Sequence, residues 1–222
     1  VVLGIETSCD ETAVSVVMGG GDVLSSVVSS QLDEHARFGG VVPEIASRAH
    51  LEALPNVTAA ALEQAGIDFR RVDAVAATVG PGLVGALLVG VSAAKATALA
   101  LDVPFVGVNH LEAHLYAALL DDPNVEFPML FVLVSGGHTM FVAMNDPHDY
   151  RVVGQTIDDA AGEAFDKVAR FLELGFPGGP AIDKAATRGN DKAIDFPRAM
   201  RNEGLDVSFS GLKTAVINYV RA

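Results

Sequence analysis

Two histidines four residues apart are the first residues of this sequence whose types and spacing could do chemistry. His110 and His114 lie in the segment VNHLEAHLYA, residues 108–117. The segment predicts a helix, on which positions i and i+4 share one face with Cβ atoms about 5–6 Å apart. Two imidazoles placed in this way can bind one metal ion, but a metal site needs three or four ligands in total. The spacing therefore predicts part of a metal site, and a histidine pair with no ligand role is the alternative.

The same spacing occurs in the H-E-x-x-H motif of zinc peptidases, in which the general base directly follows the first histidine. Leu111 occupies that position here. Glu112 lies about 200° around the helix from His110, away from the face that the two histidines share. The pattern therefore favours a metal ion and disfavours that peptidase chemistry.

Composition limits the classes of protein that are possible. The chain has 222 residues, of which 50% are hydrophobic, enough for one large domain or two small ones. A formal net charge of −13 argues against a stand-alone nucleic-acid binder. From Asp183 onward the balance reverses and basic residues outnumber acidic ones. The basic residues of this segment are Lys184, Arg188, Lys192, Arg198, Arg201, Lys213 and Arg221. We expect any contact with a polyanion there, the alternative being a solvated face of mixed charge.

Two further features bear on the compartment. Cys9 is the single cysteine, so a disulfide within the chain is excluded and a reducing cytoplasm is favoured. We interpret Cys9 as a small buried residue rather than a reactive thiol. The longest apolar stretch, residues 82–101, contains Lys95 and many Gly, Ala and Ser residues. It predicts a helix packed in a soluble core rather than a membrane span.

Two predicted β-hairpins with polar turns give the chain a repeated plan. Strand-like runs at 1–5 and 13–18 flank ETSCDET, and runs at 129–134 and 140–144 flank SGGHT. A Gly/Pro turn and an apolar helix follow each hairpin, GPGLVGALLVG after the first and FPGGPAIDKAA after the second. The repeat predicts a duplicated α/β unit. Turns of this kind offer backbone N–H and hydroxyl groups to phosphate, as in the two-lobed actin-like ATPase and sugar-kinase fold with its duplicated RNase H-like units.

Other nucleotide folds fit less well. GPGLVGALL lacks the G-K-[ST] ending of a P-loop, and no G-x-G-x-x-G follows a strand. We therefore interpret Gly80 and Gly82 as a tight turn that allows close helix packing.

The remaining segments place the lobe boundary. PEIASRAHLEAL predicts a helix beginning at Pro43, and VDAVAATVG and VPFVGV predict buried strands. The first lobe is predicted to span 1–118 and the second 119–222, with DDPNVEFP as the linker. KTAVINYVRA predicts a final helix that has only just begun, so the second lobe is expected to be incomplete.

At this point the sequence resembles one family across nearly its whole length. The motifs GIETSCDET, FGGVVPEIASRAH, GPGLVGALLVG, VNHLEAH, LVSGGHT, DDAAGEAFDKVAR, PGGP and FSGLKTAV stand in the order found in the TsaD family. These are tRNA threonylcarbamoyl transferases, formerly described as O-sialoglycoprotein endopeptidases. Eight ordered motifs are far more specific than any single one.

The resemblance implies an acyltransferase. It would transfer a threonylcarbamoyl group from threonylcarbamoyl-AMP to N6 of the adenine beside the tRNA anticodon. Such an adenylate needs an anion cradle, a polarising cation and a group that orients a weak amine nucleophile. The SGGHT turn suits the cradle, because its glycines let backbone approach closely and its Ser and Thr add hydroxyls.

The resemblance also implies roles for particular residues. His110 and His114 match metal ligands, the metal being iron or zinc. Asp10 and Glu11 match acidic residues near the reaction centre, with an exposed hairpin turn as the alternative. The residues that match adenylate-binding positions are Ser135, Gly136, Gly137, His138, Thr139, Asp166, Gly179 and Asp183.

One departure from the family pattern concerns the metal. The family's third protein ligand is an Asp in its last third, which also carries a substrate-binding Asn, and this chain ends at Ala222 without that segment. The third ligand is therefore expected to lie outside this chain, and the chain by itself is expected to be inactive.

The resemblance implies partners as well. These are tRNA, threonylcarbamoyl-AMP, a non-catalytic TsaB-type paralogue that pairs through first-lobe helices, and a TsaE-type ATPase. A cytoplasmic location without membrane contact is expected. The rival interpretations are the paralogue itself, which lacks the histidine pair, a metal-dependent peptidase, and an ATP hydrolase or small-molecule kinase of the same fold.

Overall fold

The computed structural model describes residues 1–122 and 124–222. They form two compact units, Val1–Asp122 and Pro123–Ala222. The predicted linker, residues 121–128, includes Pro123 and the Asp121 side chain, which lie outside the described part of the chain.

The first unit is built on a five-stranded sheet. Its strands are β1 (Val2–Glu6), β2 (Glu11–Met18), β3 (Asp22–Ser30), β4 (Ala74–Gly80) and β5 (Phe105–Asn109), in the order β3-β2-β1-β4-β5. β1, β2 and β3 are antiparallel, whereas β4 runs parallel to both β1 and β5. This is the strand arrangement of an RNase H-like unit. The predicted first hairpin and α/β class are confirmed, although the sequence analysis did not predict β3.

Within the described part of the first unit, four α-helices accompany this sheet. They are α1 (Leu32–Ala36), α2 (Pro43–Ala65), α3 (Val84–Leu101) and α4 (His110–Asp121). α2 begins at Pro43 as predicted, because Pro is favourable in the first helical turn, and ends at Gly66 in the left-handed conformation. The core lies where α2 and α3 cover the sheet, and its most buried side chains include Leu3, Val14, Val16, Val75, Ala61 and Ala94.

α3 has two different faces. Its small residues at every fourth position, Ala86, Gly90, Ala94 and Ala98, are buried. The large residues are outside, with Leu88 59% and Leu99 84% exposed. By length and mean hydropathy (1.8) α3 is apolar enough to cross a membrane, and only 22% of it is buried. The predicted helix is confirmed, but it packs by one narrow face instead of lying within a core.

Gly82 and Gly80 behave as predicted at the start of α3. A Cβ on Gly82 would lie 2.6 Å from the carbonyl oxygen of Ser8, so only glycine permits this close approach. Gly80 has a φ of 149°, a conformation that other residues rarely adopt.

The prediction that VPFVGV is a buried strand was wrong. The strand forms as β5, but it lies at the edge of the sheet and Val106 is 46% exposed. Continuous apolar runs are typical of central parallel strands, and a run of five residues does not distinguish a central strand from an edge strand.

The second unit repeats the antiparallel half of the first. Its strands β6 (Met129–Val134), β7 (Thr139–Asp146) and β8 (Asp149–Gln155) form a sheet in the order β6-β7-β8. Its helices are α5 (Ala161–Phe171), α6 (Gly178–Ala186) and α7 (Ser210–Arg221). The second predicted hairpin and the helices predicted at FPGGPAIDKAA and KTAVINYVRA, which are α6 and α7, are confirmed, whereas β8 and α5 were not predicted. Within the described residues the only parallel pairing in this unit is an isolated bridge between Thr156 and Val207.

Candidate functional site

The histidine pair lies in the first two turns of α4, directly after β5. Asn109 caps the helix, since its side-chain oxygen accepts hydrogen bonds from the backbone N–H groups of Leu111 (2.9 Å) and Glu112 (3.3 Å). This cap starts the helix at His110 and sets its first turn at the carboxyl end of a parallel strand, where α/β proteins commonly bind ligands.

The two imidazoles point at each other. Their Nε2 atoms are 3.2 Å apart, and the rings meet edge to face with centroids 4.6 Å apart. Two nitrogens bound to one tetrahedral metal ion at about 2.0–2.1 Å would be about 3.4 Å apart. The observed separation therefore fits a pair of donors to one ion. Among the described residues no group of three His, Cys, Asp or Glu side chains is placed to hold a metal ion.

Polar groups behind His110 hold the ring in this orientation. Its Nδ1 lies 3.2 Å from Ser8 Oγ and 3.5 Å from Glu6 Oε2. The Glu6 carboxylate in turn accepts hydrogen bonds from the Ser8 backbone N–H and the Thr78 hydroxyl. A carboxylate–histidine pair of this kind leaves Nε2 for a metal and fixes the direction of the ring.

The charge of Glu6 follows from the same contacts. Burial by itself would raise the pKa of its carboxyl group, but hydrogen bonds from His110, Ser8 and Thr78 outweigh that effect and lower the pKa from 4.5 to about 2. Glu6, Ser8 and Thr78 were not predicted as site residues. The available signal was Glu6 itself, a carboxylate that ends an otherwise apolar strand.

Residues Thr7–Asp10, which we call the first hairpin turn, connect β1 to β2 and are tied to α3. Thr7 and Ser8 are each only 2% exposed. The Thr7 hydroxyl donates to the Ala86 carbonyl (2.8 Å), and the Leu83 N–H donates to the Ser8 carbonyl (2.8 Å). The start of α3 therefore holds the turn through these hydrogen bonds. Ser8, which is held in this way, also contacts His110.

The structure corrects the interpretation of Cys9, the third residue of this turn. Cys9 is exposed, not buried, because it sits where the chain reverses direction. Partial desolvation of the thiol, followed by the nearby Asp10 carboxylate, raises its pKa to about 12. The residue is consequently a protonated thiol at neutral pH, in keeping with the prediction that it is not reactive.

Asp10 and Glu11 lie at the end of the same turn. The Asp10 carbonyl accepts a hydrogen bond from the Gln31 N–H (3.0 Å), and Glu11 begins β2 opposite Ser30. Asp10 is half-buried and Glu11 is exposed. The turn thus brings Ser8 to the histidine pair, while the predicted roles of the two carboxylates stay predictions.

Residues Ser135–His138, which we call the second hairpin turn, connect β6 to β7 and close on themselves. The Ser135 N–H donates to the His138 carbonyl (2.8 Å), and the His138 N–H donates to Ser135 Oγ (3.0 Å). No atom lies within 4 Å of where a Cβ on Gly136 or Gly137 would be. The backbone of the two glycines therefore borders open space, as an anion cradle requires.

Thr139 has a structural contact that the sequence did not reveal. The residue is buried, and its hydroxyl accepts a hydrogen bond from the Ala161 N–H at the start of α5 (2.8 Å). The Gly162 N–H also donates to the Ser135 carbonyl (3.2 Å). These bonds fasten the turn to α5, and the predicted contacts of Ser135 and Thr139 with substrate remain predictions.

Three of the predicted adenylate-binding residues lie together around the start of α6. Asp166 Oδ1 accepts a hydrogen bond from the Gly178 N–H (2.7 Å). A Cβ on Gly178 would lie 2.6 Å from the Asp166 Cα, so the two helices touch here. Gly179 borders open space, and Asp183 is exposed four residues later on the same face of α6.

An ion cluster joins two of the sequence motifs. Asp159 pairs with Lys167 of α5 (2.9 Å) and with Lys213 of α7 (2.5 Å). Its neighbour Asp158 accepts hydrogen bonds from the N–H groups of Phe209 and Ser210 and so caps α7. The hydrogen bond from Lys213 is the largest of the effects that lower the pKa of the Asp159 carboxyl group. DDAAGEAFDKVAR and FSGLKTAV are thus in contact although about fifty residues separate them.

The protein thus has two α/β units, the first with a convergent histidine pair and the second with a glycine turn that borders open space. Residues 22–221 match the family model described as TsaD: tRNA N6-adenosine threonylcarbamoyltransferase. The chain therefore belongs to the TsaD family, as its motifs indicated.

Curated relatives carry the same description. The chain is 55% identical over 221 residues to the tRNA N6-adenosine threonylcarbamoyltransferase of Clostridium perfringens (strain SM101 / Type A), covering 99% of this chain and 65% of that protein. It is 56% identical over 219 residues to that of Caldicellulosiruptor saccharolyticus, with the same coverage of 99% and 65%. The chain thus spans just under two thirds of the length of these relatives.

Solved structures are more distant. YeaZ from Pseudomonas aeruginosa is 20% identical, covers 68% of this chain and 63% of its own, and gives a TM-score of 0.46. The ethanolamine utilization protein EutJ from Carboxydothermus hydrogenoformans is 13% identical, covers 97% and 81%, and gives 0.45. Neither score reaches 0.5, so the strand order carries the assignment of the fold.

Proposed function

We propose that the protein transfers a threonylcarbamoyl group from threonylcarbamoyl-AMP to N6 of the adenine beside the tRNA anticodon. The observation that carries the proposal is the convergent His110–His114 pair, backed by Ser8 and Glu6, in a chain of the TsaD family. The two units would be the two lobes of the enzyme, which divide after Asp122, close to the predicted lobe boundary at residues 118 and 119.

In this reaction the adenine amine attacks the carbamoyl carbon of the adenylate. The bond from that carbon to the phosphate oxygen breaks, AMP leaves with the bonding electrons, and the amine gives up a proton. An adenine amine is a weak nucleophile, so positioning provides much of the acceleration. Asp10 and Glu11 would orient this amine through hydrogen bonds to its N–H groups.

His110 and His114 would hold one iron or zinc ion, each through Nε2. The ion would supply a positive charge that stabilises negative charge on the substrate during transfer. Glu6 keeps the His110 ring in its orientation and, as an anion, adds negative charge beside the imidazole. The third protein ligand would come from a segment beyond the part of the relatives that this chain spans.

The second unit would bind the adenylate. The open backbone of Gly136 and Gly137 suits the phosphate, and the neighbouring Ser135, His138 and Thr139 shape that turn. Asp166 and Asp183 suit the ribose, because a carboxylate can accept hydrogen bonds from both hydroxyls of the diol. Gly179 leaves room for the adenine ring to lie against backbone.

The first unit also presents a surface for a protein partner. Leu51, Phe69 and Leu88 are exposed and line one surface groove between α2, α3 and the turn between α2 and β4. Val84 and Leu99 of α3 are also exposed. A patch of this kind is typical of a protein interface. It supports pairing with a non-catalytic TsaB-type paralogue through these helices, and a TsaE-type ATPase would complete the cytoplasmic complex.

A labelled transfer assay tests the proposed function. The full-length protein with its partners, tRNA and adenylate labelled in the threonine should place label in a modified adenosine after digestion of the tRNA. His110→Ala and Asp166→Ala should each remove most of this label, and an exposed histidine outside the site, His148→Ala, serves as the matched control. Label that remains at wild-type level in both site variants would contradict the proposal. Production of ADP without tRNA would favour an ATP hydrolase or kinase, and cleavage of a peptide would favour a peptidase.

The tRNA contact allows a separate prediction. A net charge of −13 predicts that this protein binds tRNA weakly without its partners, and that the residual affinity falls steeply with salt. Gel-shift titration at two salt concentrations measures both. Changing Arg198 and Arg201 to Glu should reduce the affinity further, whereas tight binding that ignores these changes would show that the RNA surface lies elsewhere.

A further inference from the structure

A second group of histidines is buried in the first unit, away from the histidine pair. His35 and His50 are both 0% exposed, and Gln31 and Thr12 are buried between and beside them. Burying polar side chains is unfavourable unless they are hydrogen-bonded. Each of these four side chains has such a partner, so the group forms a continuous hydrogen-bonded network.

The network has a definite direction. The carbonyl of Cys9 can only accept, so His50 Nε2, at 3.1 Å, must carry the proton. In a neutral ring His50 Nδ1 is then an acceptor, and it lies 2.7 Å from the Thr12 hydroxyl and 3.2 Å from Gln31 Nε2. The amide of Gln31 therefore points its nitrogen at His50 and its oxygen at His35.

The second half of the network continues in the same direction. Gln31 Oε1 accepts from His35 Nε2 at 3.1 Å, so His35 also carries its proton on Nε2. His35 Nδ1 then accepts from the backbone N–H of Val42 at 3.3 Å. Donors and acceptors alternate from the N-cap of α2 to the carbonyl of Cys9. Burial also lowers the pKa of His50, which agrees with a neutral ring.

The network ends on the first hairpin turn. His50 holds the Cys9 carbonyl, and the backbone N–H of Gln31 holds the Asp10 carbonyl at 3.0 Å. Ser8, the residue before Cys9, contacts His110. Two consecutive carbonyls of the turn are thus fixed by a buried group that reaches neither the histidine pair nor open solvent.

We propose that His50, oriented by Gln31, is a positioning residue for the transfer reaction, since it fixes the turn that sets Ser8 against His110 and carries Asp10. The inference rests on the proposed function. His50 does not touch the substrate, and its effect passes through the Cys9 carbonyl.

Spectroscopy on the full-length protein tests the direction of the network without any assay of activity. In ¹⁵N-histidine NMR spectra, His35 and His50 should both give the signature of a neutral ring protonated on Nε2. Gln31→Glu replaces the amide donor with an acceptor oxygen, and the His50 ring should then carry a proton on Nδ1 as well. A proton on Nδ1 of His50 in the unaltered protein would overturn the inference.

Two substitutions at His50 separate positioning from folding. In His50→Gln the side-chain amide nitrogen reaches the place of Nε2 and can still donate to the Cys9 carbonyl. In His50→Asn the shorter side chain cannot reach it. We expect His50→Asn to lose more thermal stability than His50→Gln, because only His50→Asn loses the buried hydrogen bond to the Cys9 carbonyl. At a temperature at which both variants are fully folded, kcat for transfer should fall about ten-fold or more in His50→Asn and within about three-fold in His50→Gln. KM for the adenylate should be unchanged in both.

Each outcome of this comparison decides one question. Equal losses of kcat in the two variants, or losses that follow the folded fraction, would show that His50 acts only in folding. If the wild-type protein transfers no label, the proposed function is contradicted, whatever the result for the variants. His148→Asn, at an exposed histidine in the second unit, controls for loss of an imidazole as such.

Discussion

The two hairpin turns occupy equivalent places in their sheets but are built in opposite ways. Thr7 and Ser8 of the first turn are buried, and groups of this turn bond outward to α3, to His110 and to His50. In the second turn Ser135 and His138 hydrogen-bond to each other, and two of the four residues are glycines that border open space. The first turn is therefore rigid through its surroundings, whereas the second is held at its ends and left open in the middle.

This difference follows from what each turn offers. A turn that orients a metal ligand must fix side chains, and ETSCDET supplies hydroxyl and carboxylate groups for that purpose. A turn that receives a phosphate must present backbone N–H groups, and the two glycines of SGGHT would allow this under the proposed function. Under the proposed function one hairpin plan would serve two tasks, and four experiments can separate them.

The largest effect is expected for the metal. His110→Ala or His114→Ala in the full-length protein should abolish stoichiometric iron or zinc, because each removes one of two converging donors. Ser8→Ala removes only an orienting contact and should weaken metal affinity by roughly 10-fold to 100-fold. Elemental analysis measures both effects. Asp166→Ala should retain the metal, and metal that survives both histidine changes would place the site elsewhere.

The next effect concerns stability. Gly82→Ala would press a methyl group against the Ser8 carbonyl, so we expect a loss of about 1–3 kcal/mol in the free energy of unfolding. Gly136→Ala meets no atom within 4 Å and should change stability by less than about 0.5 kcal/mol. Urea denaturation of both variants measures the contrast. If both changes cost the same, the second turn is as tightly packed as the first.

Adenylate affinity should follow the second turn and the start of α6. Asp166→Ala or Asp183→Ala in the full-length protein removes one or two charge-assisted hydrogen bonds, each worth about 1.5–3 kcal/mol. Binding of a non-reactive threonylcarbamoyl-adenylate analogue should then weaken about ten-fold or more. Calorimetry paired with metal analysis distinguishes the outcomes. Loss of both ligands indicates misfolding, and unchanged affinity removes these carboxylates from the nucleotide site.

The smallest effect is a pH dependence of stability that arises from His50, which holds the first turn through the Cys9 carbonyl. Burial, which dominates, lowers the pKa of His50 from its ordinary 6.5, although the Cys9 carbonyl, Glu6 and Asp10 act in the opposite direction and His35 in the same one. The unfolded chain therefore binds a proton that the folded chain resists. The contribution of His50 to stability is complete above pH 6.5 and is lost as the pH falls below it towards the folded pKa.

Thermal melts at about pH 7.5 and about pH 5.5 should show this loss of stability, and His50→Gln should make the decrease smaller. The exposed His148→Gln variant should leave it unchanged. A decrease of the same size in all three proteins would mean that His50 is not responsible for the pH dependence.

Local patterns predicted the elements that carry the histidine pair and both turns. Gly80 and Gly82 were interpreted correctly, because a position that needs a positive φ or has no room for a Cβ favours glycine and can therefore be recognised in the sequence. The partners of the site were not predictable in the same way. Glu6 and Thr78 are 72 residues apart, and Ser8 and His110 are 102 apart, so only the pairing of β1 with β4 and the position of α4 bring them together.

The exposure of individual residues was predicted less well. Val106 was expected to be buried, but its strand lies at the sheet edge, which a local apolar run cannot reveal. Cys9 was expected to be buried, and its place at the apex of a turn exposes it. Both errors arise because burial depends on which element lies next to a residue, and that is a property of the whole unit.

The Asp159 cluster has a consequence for the order in which the second unit forms. Lys167 is eight residues from Asp159, whereas Lys213 is 54 residues away. Closing the longer loop costs about 1.7 kcal/mol more in chain entropy than closing the shorter one. On a ribosome Lys167 is also synthesised long before Lys213. We therefore expect the ion pair between Asp159 and Lys167 of α5 to form early and α7 to dock late. The ion pair between Asp159 and Lys213 would then form in the last step of the assembly of this unit.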